Sequence, residues 1–107
     1  MTEIERRAIQ EFTARVRARL GRELVALKLF GSKARGDDTP ESDIDILVEV
    51  EGESRAIEDA VLDIAFEVNV AYDVYISPRV IARAVFTHPV WSETPFIRSL
   101  EQEGLPL

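Results

Sequence analysis

The sequence has no cysteine, a single histidine (His88) and no long apolar run. The lack of cysteine excludes disulfides and thiolate metal sites, and it favours a reducing compartment. His88 has no second nitrogen ligand with which to form a zinc site. No segment comes near the roughly 20 apolar residues of a membrane-spanning helix. We therefore expect a soluble cytoplasmic protein that does not contact a membrane.

An excess of basic residues is also missing, because the net charge is -7. A protein that binds nucleic acid through the phosphate backbone needs a basic surface, so direct binding to nucleic acid is not expected. The charge is unevenly spread: residues 1–35 hold nine Lys or Arg against four Glu, whereas residues 36–107 hold four against sixteen acids. The length of 107 residues predicts one domain over 1–107.

The apolar residues predict helices that alternate with strands. Helices space their apolar residues by three to four positions, and strands are rich in branched apolar residues. We expect an α/β fold with a three-stranded mixed sheet of order 1-2-3, strands 1 and 2 antiparallel, strands 2 and 3 parallel, and four to five helices. The predicted segments are helix 2–20 ending at Gly21, strands 23–30 and 44–50, helix 55–68, strand 70–77, helix 78–86, and a last helix that begins near Pro89 or Pro95.

Three aspartates are the first candidates for a site. Asp43 and Asp45 are two apart at the start of strand 2, so their carboxylates point to the same face. Asp73 lies in an otherwise apolar and aromatic segment, where an isolated acid is disfavoured unless it is paired or binds metal. If strands 2 and 3 are parallel neighbours, the three carboxylates converge and could hold two divalent ions. The alternative is that Asp43 and Asp45 are solvated acids at a strand entry.

The stretch "GSKARG" supplies the second candidate feature. Gly31 ends strand 1, and Ser32 opens a short helical turn that Gly36 closes. Exposed N–H groups at such a turn attract phosphate, and a glycine allows close approach. Because strands 1 and 2 are predicted to be antiparallel, the turn and the aspartates share one edge of the sheet. Lys33 and Arg35 are candidate phosphate contacts, although two cations on a helical turn can equally be solvated.

The pattern "GSKARGDDTPESDID" resembles the DNA polymerase beta-like nucleotidyltransferase superfamily, and within it the minimal nucleotidyltransferase branch. Genes of that branch often lie beside a gene for a HEPN-domain protein. The resemblance covers residues 24–50, the position of Asp73 and the ending "TPFIRSLEQEGLPL".

This resemblance implies a role for each candidate residue. Gly31 and Ser32 would contact the nucleotide phosphates, Asp43 and Asp45 would hold two Mg²⁺ ions, with Mn²⁺ as the alternative, and Asp73 would bind the catalytic ion and help to deprotonate the acceptor. The resemblance also implies ATP as substrate and a nearby-encoded HEPN-type toxin as partner. AMP transferred to a tyrosine of that toxin would silence it, so this chain would be the antitoxin, in a hetero-oligomer with its target.

Two other functions stay open from the sequence. One is a binding module that keeps the fold, has lost the transfer reaction and neutralises its partner by steric occlusion. The other is nucleotide transfer to a small molecule such as an aminoglycoside, for which a second, acceptor-binding domain would be expected. Intact Gly31, Ser32, Asp43, Asp45 and Asp73 favour the enzyme that acts on a protein.

Overall fold

The computed structural model describes residues 1–107 and contains a four-stranded mixed sheet with five α-helices. The order of the strands is β3-β2-β1-β4. The strands are β1 (Leu24–Phe30), β2 (Ile44–Val50), β3 (Ile76–Ala82) and β4 (Leu105–Pro106), and the helices are α1 (Glu3–Leu20), α2 (Ser32–Arg35), α3 (Arg55–Tyr72), α4 (Arg83–Thr87) and α5 (Pro95–Glu103). None of these helices has the combination of length and apolar character needed to cross a bilayer.

Helix α1 forms where its sequence pattern predicts it. Thr2 and Glu5 make a reciprocal capping box, in which each side chain accepts a hydrogen bond from the other's backbone N–H, at 3.1 and 2.9 Å. Gly21 ends the helix with a positive φ of 53°, a conformation that glycine adopts without strain. One face is buried against the sheet, through Ala8, Ile9, Phe12, Val16 and Leu20.

The predicted order and relative directions of the first three strands are confirmed. β1 and β2 are antiparallel, with Phe30 opposite Asp45, and β2 and β3 are parallel, with Asp45 opposite Ser77. The predicted number of strands is wrong, because the two-residue strand β4 pairs with Lys28 and Leu29 of β1. No strand pattern marks so short a segment. It is a strand only because helix α5 returns the chain to the edge of the sheet.

The predicted third strand, 70–77, is wrong. Helix α3 continues to Tyr72, one turn beyond the predicted end, and its Tyr72 packs against the core and donates a hydrogen bond to Glu11. Strand β3 begins only at Ile76. The backbone N–H of Ile76 donates to Oδ1 of Asn69 at 2.7 Å, and Nδ2 of Asn69 donates to the carbonyl oxygen of Ile76 at 3.1 Å. Pro78 therefore lies inside a strand and not at the start of a helix, which is tolerated because β3 is an edge strand.

The two faces of the sheet are covered unequally. Helices α1 and α3 cover one face with a continuous core of 16 buried residues, with Phe12 and Val48 fully buried within it. On the other face, α5 contributes Ile97 and Leu100, which form a cluster of three buried residues with Leu47 of β2. Side chains alternate along β2, so Asp45 lies on this second, thinly covered face together with Leu47.

Candidate active site

The end of β1 and the start of β2 meet at one edge of the sheet and bring the glycine–serine turn to the aspartates. Gly31 follows Phe30, which is the register partner of Asp45. The φ of Gly31 is 74°, and a Cβ atom at this position would overlap Oδ2 of Asp45. Glycine is therefore required here for two reasons: its backbone conformation, and the close approach of the Asp45 carboxylate.

The two aspartates are close enough to influence each other. Burial raises the pKa of the Asp45 carboxyl above its ordinary value, the neighbouring Asp43 adds to the rise, and Arg79 and Arg35 oppose it. Neither aspartate forms an ion pair or accepts a hydrogen bond from another side chain, although ten ion pairs occur elsewhere in the chain. The pair thus concentrates negative charge that no protein group neutralises directly.

This donor set fits a divalent cation. Neither carboxylate has a side-chain partner, and the pKa of Asp45 is raised by burial and then by Asp43, so a cation that joins the two carboxylates stabilises them. Oxygen ligands select hard ions such as Mg²⁺ or Mn²⁺, which in proteins are often held by one or two carboxylates together with substrate phosphates. Asp43 and Asp45 are the residues that would hold such an ion.

Asp73 lies elsewhere than predicted. It is the C-terminal cap of α3, in the left-handed conformation with φ 53° and ψ 50°, and it does not belong to a strand. Asp43 and Asp73 both line one groove of about 540 Å³, but no three Asp, Glu or His side chains in the chain form a group that could hold an ion together. The three predicted carboxylates therefore do not converge. Across from Asp45, strand β3 places Ser77 instead.

Lys33 is not available to a phosphate in this structure. Its side chain is 1% exposed, and Nζ lies 2.8 Å from Glu5, 3.0 Å from Asp38 and 3.3 Å from the carbonyl oxygen of Thr39. An ammonium group has three N–H donors, so all of them have partners. The hydrogen bond to Glu5 raises the pKa of Lys33, burial opposes the rise, and Asp38 adds to it. Lys33 ties the start of α1 to the loop between α2 and β2.

Arg35 is the last residue of α2, and its role as a phosphate contact stays a prediction. Its guanidinium donates to Asp37 at 3.3 Å and to Glu103 of α5 at 3.5 Å, and its charge acts on Asp45. Within α2, the N–H groups of Ala34 and Arg35 donate to the carbonyl of Gly31. The first N–H groups of the turn, including that of Ser32, have no partner within the helix.

Arg79 is a residue of this surface that the sequence pattern did not single out. It follows Pro78, and the predicted helix 78–86 would have placed it far from the aspartates. In the structure it lies on β3 opposite Leu47, on the same sheet face as Asp45. A strand prediction shifted to 76–82 would have found it, because the alternation of Ser77, Arg79 and Ile81 follows that of β2.

Comparison with protein families identifies the family to which this chain belongs. The model of the nucleotidyltransferase domain family matches residues 9–103, which include the glycine–serine turn and all of β2. The chain belongs to this family. The assignment to nucleotidyltransferases from the sequence pattern is thereby confirmed, and the chain is a nucleotidyltransferase with Gly31, Ser32, Asp43 and Asp45 at one edge of its sheet.

Two curated relatives cover nearly the whole nucleotidyltransferase. Both come from Methanocaldococcus jannaschii and carry the name "putative protein adenylyltransferase". One is 35% identical over 101 residues, covering 94% of this chain and 94% of its own length. The other is 33% identical over 98 residues, covering 91% and 92%.

Two solved structures share the fold. A toxin–antitoxin crystallised with AMP-PNP aligns with a TM-score of 0.55 at 18% identity, over 89% of this chain and 68% of that one. A mutant form of the toxin–antitoxin MntA-HpeT aligns with a TM-score of 0.54 at 20% identity, over 96% and 70%. At these identities the likeness establishes the nucleotidyltransferase fold of this chain and no more.

Proposed function

We propose that this nucleotidyltransferase is a protein adenylyltransferase that transfers AMP from ATP to a tyrosine hydroxyl of a HEPN-type toxin, and so acts as its antitoxin. The main support for this proposal is the pair Asp43 and Asp45, whose carboxylates have no ion-pair partner. The pair lies directly against the Gly31 turn at one edge of the sheet. The names of the two relatives support a protein as the acceptor. The choice of a toxin as that protein follows the resemblance of the sequence to the minimal nucleotidyltransferase branch, and two toxin–antitoxin structures have the same fold.

Different residues of the chain would bind the ATP phosphates and the divalent ion. Gly31 and Ser32 would receive phosphate groups of ATP, since glycine leaves room for them and the first N–H groups of α2 lack intrahelical partners. Asp43 and Asp45 would hold a divalent ion, Mg²⁺ or Mn²⁺, which when bound neutralises charge on the attacked phosphate and on departing pyrophosphate. Lys33 and Asp73 stand outside this assignment, because one is fully engaged and the other caps α3.

The reaction would be an in-line displacement. The acceptor oxygen forms a bond to the α-phosphorus, the bond to pyrophosphate breaks, and the hydroxyl proton leaves to solvent or to a carboxylate. Catalysis of this kind depends mainly on positioning and on electrostatic stabilisation. The open second face beside Asp45 leaves access for a side chain of another protein.

The test is the intact mass of the proposed HEPN-domain toxin, measured after incubation with this protein, ATP and Mg²⁺. We expect a gain of whole AMP units, lost with Asp43→Asn or Asp45→Asn. Asp59→Asn is the matched control, because this exposed acid lies on α3 towards the opposite end of β2. A partner that gains no mass in a stable complex contradicts the proposal.

Neutralisation by steric occlusion is a second candidate, and one observation favours it. Strand β3 places Ser77 and no acid across from Asp45, so this chain has two carboxylates where the sequence pattern predicted three. Under this alternative, Asp43→Asn forms the complex and still neutralises the toxin. Under the enzymatic proposal, the same variant binds the toxin but leaves it active.

A further inference from the structure

Strand β3 brings a cation to the side of the site that lies away from the glycine–serine turn. Its register pairs Ser77 with Asp45 and Arg79 with Leu47. Paired residues in a sheet point to the same face, so Arg79 shares the face of Asp45. Ile81, two residues further along β3, packs in the apolar cluster of that face. The backbone of β3 therefore fixes the origin of the Arg79 side chain.

An aromatic platform determines where the side chain goes. The guanidinium carbon of Arg79 lies 5.7 Å from the centroid of the Phe96 ring, a cation–π arrangement. Phe96 in turn lies against Phe30, with ring centroids 6.3 Å apart. Phe30 is the register partner of Asp45 on β1. The platform thus holds the guanidinium beside the aspartate pair, close enough for its charge to act on Asp45.

Arg35 and Arg79 both lie near Asp45, but they differ in how many of their N–H groups have hydrogen-bond partners. Arg35 donates to Asp37 and Glu103. Arg79 is exposed, and neither an ion pair nor a side-chain hydrogen bond engages it beyond its stack on Phe96. A guanidinium stacked on an aromatic ring keeps its edge N–H groups available, and that planar fork matches the oxygens of a phosphate.

We propose that Arg79 binds a phosphate group of the nucleotide, on the β3 side of the Asp43–Asp45 pair. The inference rests on the proposed function, since it deepens the description of the ATP site. A triphosphate that approaches two carboxylates meets repulsion, and a cation on this side reduces it. With Ser77 in the place where an acid would neutralise it, Arg79 keeps its charge available to the ligand. The site would then distinguish ATP from an uncharged nucleoside.

The test measures equilibrium binding of ATP with Mg²⁺, and of adenosine, by isothermal titration calorimetry. Arg79→Ala is expected to weaken ATP binding about tenfold or more, as the loss of a charge-assisted hydrogen bond does, and to leave adenosine binding unchanged. Arg79→Lys should recover part of the loss. Arg83→Ala is the matched control, because Arg83 pairs with Glu51 at the other end of the sheet.

The outcomes separate this inference from the proposed function. If Arg79→Ala binds ATP within twofold of the unchanged protein, or loses ATP and adenosine equally, Arg79 is not a phosphate ligand. If the unchanged protein binds no ATP, the proposed function fails first and this inference with it. Phe96→Leu keeps an apolar contact to Phe30 but removes the ring beneath the guanidinium, so a smaller loss, of about two- to fivefold, is expected for ATP alone.

Discussion

The two faces of the sheet show how one small domain separates stability from chemistry. On the face covered by α1 and α3, 16 buried apolar residues pack in one continuous cluster. On the face covered by α5, the buried cluster consists of Leu47, Ile97 and Leu100, and the charged residues Asp45 and Arg79 lie on the same face. Burial on the first face stabilises the sheet. The second face can therefore hold two carboxylates that repel each other. The candidate site therefore lies on the face with fewer buried residues.

The largest expected effect tests the well-packed face. Phe12 is fully buried, so Phe12→Ala should lower the free energy of unfolding by about 3–5 kcal/mol through lost burial and the cavity left behind. Ile97→Ala, its counterpart on the thin face, should cost about 2 kcal/mol, because few buried neighbours surround it. Denaturant titration followed by circular dichroism measures both. Equal decreases in the unfolding free energy of Phe12→Ala and Ile97→Ala would contradict the difference in packing between the two faces.

Gly31→Ala should damage the site more than the fold. A methyl group at this position overlaps Asp45 Oδ2, and a displacement of about 1 Å can reduce a rate about 100-fold. The positive φ adds a stability cost of about 1–2 kcal/mol. AMP transfer and thermal unfolding measure the two effects. Gly52→Ala is the control, since a Cβ atom there meets nothing within 4 Å; a Gly31→Ala variant as active as this control would refute the steric role of Gly31.

Lys33→Met separates a structural cation from a ligand-binding one. Removal of the ammonium group leaves Glu5 and Asp38 without their partner, and we expect a stability loss of about 1.5–3 kcal/mol with unchanged affinity for ATP. Thermal unfolding and calorimetric titration of ATP test this pair of results. Arg7→Met removes a surface pair and should cost less than about 0.5 kcal/mol. If the folded Lys33→Met variant bound ATP more weakly, Lys33 would contribute to the nucleotide site.

The pH dependence of Asp45 gives a smaller effect. Because the folded state raises the pKa of this carboxyl, ionised Asp45 destabilises the fold. In a metal-free buffer, the unfolding free energy of Asp45→Asn should equal that of the unchanged protein below pH 3.8, the ordinary pKa. Above the pKa of Asp45 in the folded state, the unfolding free energy of Asp45→Asn should exceed that of the unchanged protein by less than about 1 kcal/mol. The opposite order at neutral pH would contradict the burial of this carboxyl beside Asp43.

Asp73→Asn should have the smallest effect of all. Asparagine adopts the left-handed conformation as readily as aspartate, so the cap of α3 is retained. We expect a stability within about 0.5 kcal/mol of the unchanged protein and an AMP-transfer rate within about threefold. A rate reduced about 100-fold would show that Asp73 binds the ion, and that the site extends into the groove it shares with Asp43.

Local sequence patterns predicted the elements that place Gly31 beside Asp45. The apolar spacing of α1, the branched residues of β2 and the glycine turn each act within a few residues, and an antiparallel connection as short as 31–43 leaves little freedom. The pattern failed between residues 70 and 86. There, the long-range hydrogen bond from Tyr72 to Glu11 favours a longer α3, and the bonds between Asn69 and Ile76 fix a later start of β3, against the local preference of the segment for a strand.

The sequence by itself determined that the chain is an α/β nucleotidyltransferase, that strands 1 and 2 are antiparallel, and that a glycine–serine turn faces two aspartates. Tertiary structure alone decided that Lys33 is buried in an ion pair, that Asp73 caps a helix, that residues 105–106 form a fourth strand, and that Arg79 lies over Phe96. The physical reason is distance along the chain. The turn and the aspartates are linked by a short connection, whereas the pairing of Lys33 with Glu5, the pairing of β4 with β1 and the stacking of Arg79 on Phe96 depend on how separate elements pack.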